Sequence, residues 1–199
     1  QYTALGSGFK IAMRDLEIRG AGNLLGTQQS GHIAAVGFDL YCRLLKQSVA
    51  KLKGESTTRT VDVAMNLDFV CLNEADYTRD PDSQLPAFVP AEYMEEARHR
   101  ITGYRDLAES GTIKELNAIM RNWEDRFGKR PDSVDNLFRC TELRIRCAHK
   151  RVSTCEVKDV RLILTRRGHG IQVDGKYPRL KETDLKKRLL EVLEWVKAL

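Results

Sequence analysis

Residues 112–131 read TIKELNAIMRNWEDRFGKRP. Thr112 followed three residues later by Glu115 forms a capping box, in which each side chain bonds the backbone N–H of the other residue. Leu116, Ile119, Met120, Trp123 and Phe127 then recur at three- and four-residue intervals, which puts them on one side of a helix. Gly128 ends that helix, and Pro131, which lacks an N–H to continue a ladder, follows shortly after. The stretch therefore predicts an amphipathic helix over 113–127 whose apolar stripe must be buried against other elements.

The neighbours on both sides supply those elements. Downstream, Val134, Leu137, Phe138, Leu143 and Ile145 predict a helix over 133–149. Residues 155–165 and 170–174 read as a hairpin around Arg167-Gly168-His169-Gly170, and Leu185, Leu189, Val192 or Leu193, and Val196 give a last helix over 182–198. Upstream, Tyr93, Met94, Ala97, Ile101, Tyr104 and Leu107 predict a helix over 91–109, entered from a polar loop with Pro81, Pro86 and Pro90. Residues 59–69 alternate, with Val61, Val63, Met65, Leu67 and Phe69 facing one way and Asp62, Ala64, Asn66 and Asp68 the other, as in a half-buried strand. Residues 60–199 are thus expected to form a helix-rich α+β domain with a small antiparallel sheet, having too few strands for a doubly wound sheet.

The first 54 residues are organised differently. Phe9, Ala12, Met13 and Leu16 predict a helix over 8–18, and a glycine-punctuated stretch runs from Arg19 to Gly31. Phe38, Tyr41, Leu44, Leu45, Val49 and Leu52 then predict a helix over 37–53. A helical hairpin over 1–54 has little core of its own and must lean on something larger. Gly54-Glu55-Ser56-Thr57-Thr58 reads as a linker. The chain opens on Gln1-Tyr2 in mid-element, as expected of a piece of a longer protein.

Composition narrows the function classes. Of 199 residues, 42% are hydrophobic and 31% charged, ordinary for a globular chain. The apolar runs are only a few residues long, against the roughly 20 that a membrane span needs. Five cysteines (Cys42, Cys71, Cys140, Cys147 and Cys155) contain no Cys-x-x-Cys pair. A zinc reading would recruit Cys140, Cys147, His149 and Cys155, but their spacing does not fit, so reduced thiols in a cytoplasmic protein are expected. Gly20-Ala21-Gly22-Asn23-Leu24-Leu25-Gly26 is one residue too long for a dinucleotide fingerprint and follows a helix rather than a strand. There is no Gly-Lys-Ser/Thr phosphate loop, no G-x-S-x-G elbow and no H-E-x-x-H. No catalytic residue and no metal ligand is assigned.

Charge is uneven. The net is +4 over residues 1–60, −7 over 61–110 and +8 over 111–199. Arg144, Arg146, Lys150, Arg151, Arg166 and Arg167 lie in the basic stretch between 139 and 188. Such a face could bind nucleic acid electrostatically, dock an acidic region of the same protein, or simply be solvated. Arg19 and Gln29 sit in a turn-rich segment where a long polar side chain has no packing reason to be. Arg19 could cap helix carbonyls there, and Gln28 and Gln29 could be solvated.

The run Asp15-Leu16-Glu17-Ile18-Arg19-Gly20-Ala21-Gly22-Asn23-Leu24-Leu25-Gly26-Thr27-Gln28-Gln29-Ser30-Gly31, with Leu5-Gly6-Ser7-Gly8-Phe9 and Ala12 upstream, resembles a known translocation motif. That motif follows the second motor domain in two bacterial helicase-fold families, the transcription-repair coupling factors and the branch-migrating helicase RecG. The rest of the chain separates the two. The strand near Val61–Leu67, Phe88-Val89-Pro90 entering a helix with Arg100 and Tyr104, Glu115-Leu116, and Asp125-Arg126-Phe127-Gly128 with Pro131 are similar to the carboxy-terminal domain of the coupling factors.

The resemblance implies a part of an ATP-dependent translocase of double-stranded DNA, which displaces stalled RNA polymerase and recruits excision repair through UvrA. By resemblance, Arg19 and Gln29, with Gly20, Gly22, Gly26 and Gly31, map onto positions that convert ATP hydrolysis into translocation. ATP and magnesium are expected in motor domains outside this chain, which itself would carry no nucleotide site. The carboxy-terminal domain would act as an autoinhibitory clamp over the UvrA-binding surface, against the UvrA-homology region and the motor domains. The six basic residues are the expected face for that interdomain contact or for DNA. A stand-alone basic nucleic-acid-binding module is the alternative reading.

Overall fold

The structure, a computed structural model, describes residues 62–77 and 83–199. The first described segment carries β1 (Ala64–Leu67), β2 (Val70–Cys71) and a single helical turn, α1 (Glu74–Tyr77). After β3 (Leu85–Pro86) come three helices, α2 (Ala97–Glu109), α3 (Ile113–Phe127) and α4 (Asp132–His149). β4 (Val152–Lys158), β5 (Arg161–Arg166) and β6 (His169–Gly170) follow, and α5 (Leu185–Ala198) comes last. The hairpin expected over 1–54 and the linker after it lie outside the described residues.

The fold is α+β. Its four-stranded sheet has the order β1-β4-β5-β6. β4, β5 and β6 pair antiparallel, as the sequence suggested, but β1 joins β4 in parallel, with Ala64 opposite Thr154 and Leu67 opposite Val157. The sheet is therefore mixed rather than antiparallel throughout. Four helical elements, α1 to α4, separate β1 from β4, enough chain to return in the same direction. Alternation fixes which face a residue takes and is blind to strand direction. A second, two-residue parallel pairing joins β2 to β3, extended by Leu85 N–H to Phe69 O (2.7 Å) and Ala87 N–H to Cys71 O (2.8 Å).

Two apolar clusters hold these elements. One lies under the sheet, where Val152, Cys155 and Val157 of β4 and Leu162 and Leu164 of β5 meet Leu143 and Cys147 of α4 and Leu189, Val192, Leu193 and Val196 of α5. The other gathers Leu107 of α2, Leu116 and Trp123 of α3, and Val134, Leu137, Phe138 and Ile145 of α4, with Ala87, Val89 and Met94. Full burial of each such side chain contributes about 1.5–3 kcal/mol. The three-residue step from Val152 to Cys155 comes from a register shift between Val152 and Thr154 that leaves Ser153 unmatched. That β-bulge keeps both flanking residues on the core side.

The expected helix over 113–127 is present, and both arms of its capping box form. Several boundaries differ from expectation: within the described residues the strand expected over 59–69 is only Ala64–Leu67, and the one expected over 170–174 is His169–Gly170. The helix expected from residue 91 starts at Ala97, because Tyr93 and Met94 turn back to donate to the Pro90 carbonyl and Arg100 draws the Met94 and Glu95 carbonyls to its guanidinium. The last helix starts at Leu185 rather than 182, capped by the Asp184 carboxylate on Lys187 N–H (2.8 Å). The strand expected over 155–165 breaks at Asp159-Val160 into β4 and β5. Asp159 turns at φ 54°, and its N–H bonds the Asp68 carboxylate at 2.6 Å.

Candidate functional site

Of the six basic residues singled out in the sequence, the fold separates two and gathers four. Arg144 is turned toward the helical end. One of its guanidinium nitrogens donates to the carbonyls of Leu107 (2.9 Å) and Ser110 (2.7 Å) and reaches the Ser110 hydroxyl (3.4 Å). It ties α4 to the carboxy-terminal end of α2, where unpaired carbonyls need a donor. Arg146 pairs with Glu142 one turn earlier, at 2.6 Å. Both are structural on this geometry.

Lys150, Arg151, Arg166 and Arg167 converge. Lys150 and Arg151 end α4 and lead into β4, while strand register places Val152 opposite Arg166 and Arg166 opposite His169. These four residues and His169 line a cleft of about 370 Å3. Arg151, Arg166, Arg167 and His169 are exposed at its mouth, and Lys150 is half-buried with its ammonium 3.4 Å from the Lys197 carbonyl. No carboxylate lines it. Such a cleft attracts anions and offers guanidinium forks to oxyanions. His169 was missed in the sequence, where four histidines far apart gave no reason to choose one. The signal was its place just past the Arg167-Gly168 turn, at the start of β6 and opposite Arg166.

The zinc set does not assemble. His149 is exposed whereas Cys147 and Cys155 are buried, and among the described residues no three His, Cys, Asp or Glu side chains are placed to hold a metal ion. Cys71, Cys140, Cys147 and Cys155 are free. Burial pushes the Cys140 thiol up to about 12. The Cys155 thiol is raised by its hydrogen bond with Cys147 and then by burial, so Cys140 and Cys155 remain protonated in the core. Arg19, Gln29, Gly20, Gly22, Gly26 and Gly31 lie outside the described residues. Among the described residues, no helix is long and apolar enough to cross a membrane.

Fold and cleft together define a small α+β domain with a cationic surface at one end. A family model described as the TRCF domain matches residues 83–171. The transcription-repair-coupling factor of Bacillus subtilis (strain 168) is 38% identical over 178 residues, covering 88% of this chain and 14% of that protein. The one from Myxococcus xanthus is 35% identical over 164 residues, covering 82% of this chain and 12% of that protein. The crystal structure of a C-terminal domain of transcription-repair coupling factor superposes with a TM-score of 0.44 at 17% identity, covering 69% of this chain and 96% of that one. The chain belongs to the family of transcription-repair-coupling factors. It spans 12–14% of the length of these curated relatives.

Proposed function

We propose that this chain is a regulatory part of an ATP-dependent translocase of double-stranded DNA that displaces stalled RNA polymerase and recruits excision repair in the cytoplasm. Residues 1–54 act as a helical hairpin across the motor, with Arg19 and Gln29 coupling ATP hydrolysis to translocation. A charged Arg that holds a carboxylate or phosphate in only one motor state would serve as such a lever. The motor domains supply ATP and magnesium. Residues 60–199 act as an autoinhibitory domain that shields the UvrA-binding surface until the motor engages its substrate.

The observation that carries the clamp is the polar exterior of the domain. Among the described residues only Leu72, Val173, Tyr177 and Leu190 are large hydrophobics that stand exposed. A polar contact between domains can open and close, whereas a broad apolar one would stay shut. The test is capture of UvrA by the full-length protein with and without residues 60–199. Deletion should increase capture, and unchanged capture refutes the clamp. In the full-length protein, Arg19→Ala or Gln29→Ala should leave ATP turnover in place and abolish polymerase displacement. Normal displacement by either variant removes the coupling role.

A further inference from the structure

Two residues of the cationic cleft stand where local backbone chemistry favours other side chains. Lys150 caps α4, and Arg151 after it takes a left-handed conformation at φ 59°. Helices ending this way usually place Gly there, because a Cβ crowds the following carbonyl. Arg167 opens the two-residue turn between β5 and β6 at φ 53°, followed by Gly168 at 82°. Such turns favour Asn or Asp before the Gly. The same chain obeys that preference a few residues later, where Asp174-Gly175, at φ 51° and 72°, joins Val173 to Lys176.

Among the described residues four non-glycine positions have positive φ. Two are Asp159 and Asp174, a residue type that tolerates the conformation, and two are Arg151 and Arg167. Both arginines line the same cleft. Local rules broken twice, with both exceptions delivering a guanidinium to one place, mark a functional site rather than a folding requirement. Among the described residues Arg98, Arg130, Arg146 and Lys197 are paired with carboxylates. No salt bridge among those residues engages Arg151, Arg166 or Arg167.

We propose that this cleft binds the phosphodiester backbone of double-stranded nucleic acid, with Arg151, Arg166, Arg167 and Lys150 as the phosphate ligands. Guanidinium forks match phosphate oxygens in pairs, and a cleft lined by exposed side chains suits a polyanion passing across it better than an enclosed small molecule. A tightly and permanently bound protein partner, unlike a contact that opens and closes, would call for an apolar anchor at the centre of its footprint. None of the four exposed large hydrophobics lines the cleft.

The test is fluorescence anisotropy of a labelled DNA duplex titrated with the 199-residue chain at several salt concentrations, beside the double variant Arg151→Gly/Arg167→Gly. Gly suits both backbone positions, so the variant should melt at a higher temperature than the parent while binding less. The expected loss is on the order of tenfold in affinity per lost phosphate contact at about 0.1 M salt, with the log–log salt slope shallower by about 0.9 per contact. Absence of micromolar duplex binding by the parent overturns the proposal, as does a variant with unchanged affinity and slope. Displacement of the duplex by poly-glutamate at equal charge concentration also overturns it, and assigns the cleft to an acidic protein surface.

Discussion

Gly103 lies in the middle of α2, where Ala would ordinarily be the better residue by about 1 kcal/mol. Here the sign should reverse. A Cβ built on Gly103 falls 2.5 Å from Cζ2 of Trp123 and 3.2 Å from Cη2. The indole is buried and wedged edge-on against Phe138, with ring centroids 5.1 Å apart, so it has no free side toward which to retreat. Restoring ordinary contact requires a shift of about 1 Å in a rigid ring, and overpacking of this kind costs about 2–3 kcal/mol. Gly103→Ala should therefore destabilise the protein by about 1–2 kcal/mol net, lowering the melting temperature by about 3–6 °C. Thermal unfolding followed by circular dichroism measures it. The mechanism is checked by repeating the substitution in a Trp123→Phe background, where the smaller ring clears the Cβ and Gly103→Ala should turn neutral or stabilising. A melting temperature that rises in the parent background, or a penalty that survives Trp123→Phe, would refute the close-approach account.

Three other outcomes follow from the same structure. Arg144→Ala removes the donor to Leu107 and Ser110 and should cost about 2 kcal/mol in urea unfolding. Its duplex DNA affinity should match the parent, since Arg144 stands outside the cleft, and a matched loss of affinity would contradict that placement. Burial holds the Tyr104 phenol up at about 12, with Val89 N–H donating to its oxygen at 2.8 Å. The native state thus keeps a proton that the unfolded chain releases near 10, and this contribution is complete below pH 10 and lost by about pH 12. The loss amounts to about 2–3 kcal/mol. Tyr104→Phe should give a stability curve flatter than the parent's in that window, and identical slopes would count against it. Finally, in each single-tryptophan variant (Trp123→Phe or Trp195→Phe) the fluorescence midpoint should coincide with the circular-dichroism midpoint, and separated midpoints within one variant would show that the two cores melt independently.

How much of this was legible depended on whether the controlling interaction was local. The α3 helix was fully readable, because its capping box, apolar stripe and terminal Gly128 all lie within the helix or next to it. Alternation from Val63 to Phe69 gave the correct faces of β1 but could not supply its parallel partner, which is set by β4 some ninety residues later. The early end of α2 was misread because Tyr93 and Met94 continue the apolar period while Pro90 and Arg100 hold their backbone in a turn. Among the basic residues, sequence proximity was misleading. Arg144 and Arg146 sit near Lys150 in the chain, yet the helix aims one at α2 and pairs the other with Glu142. Arg166, Arg167 and His169 arrive at the ends of strands whose register is a tertiary property.

The placement of α4 connects the cleft to the rest of the domain. Its core residues alternate between clusters: Val134, Leu137, Phe138 and Ile145 pack with α2 and α3, while Leu143 and Cys147 pack under the sheet with α5. Cys140 touches both. Most of a helix's stability in a folded protein comes from tertiary packing, so α4 depends on both neighbourhoods at once. Loss of either cluster would strip about half of its packing and release its last turn, which carries Lys150 and Arg151 into the cleft. Arg144 reinforces the link from the other side by pinning the end of α2 to the same helix, two turns before the cleft begins. The cationic site therefore does not sit on a loose appendage. A helix end and a hairpin turn on the same packed core hold the backbone that carries its charges, so the four cations stay gathered at one place.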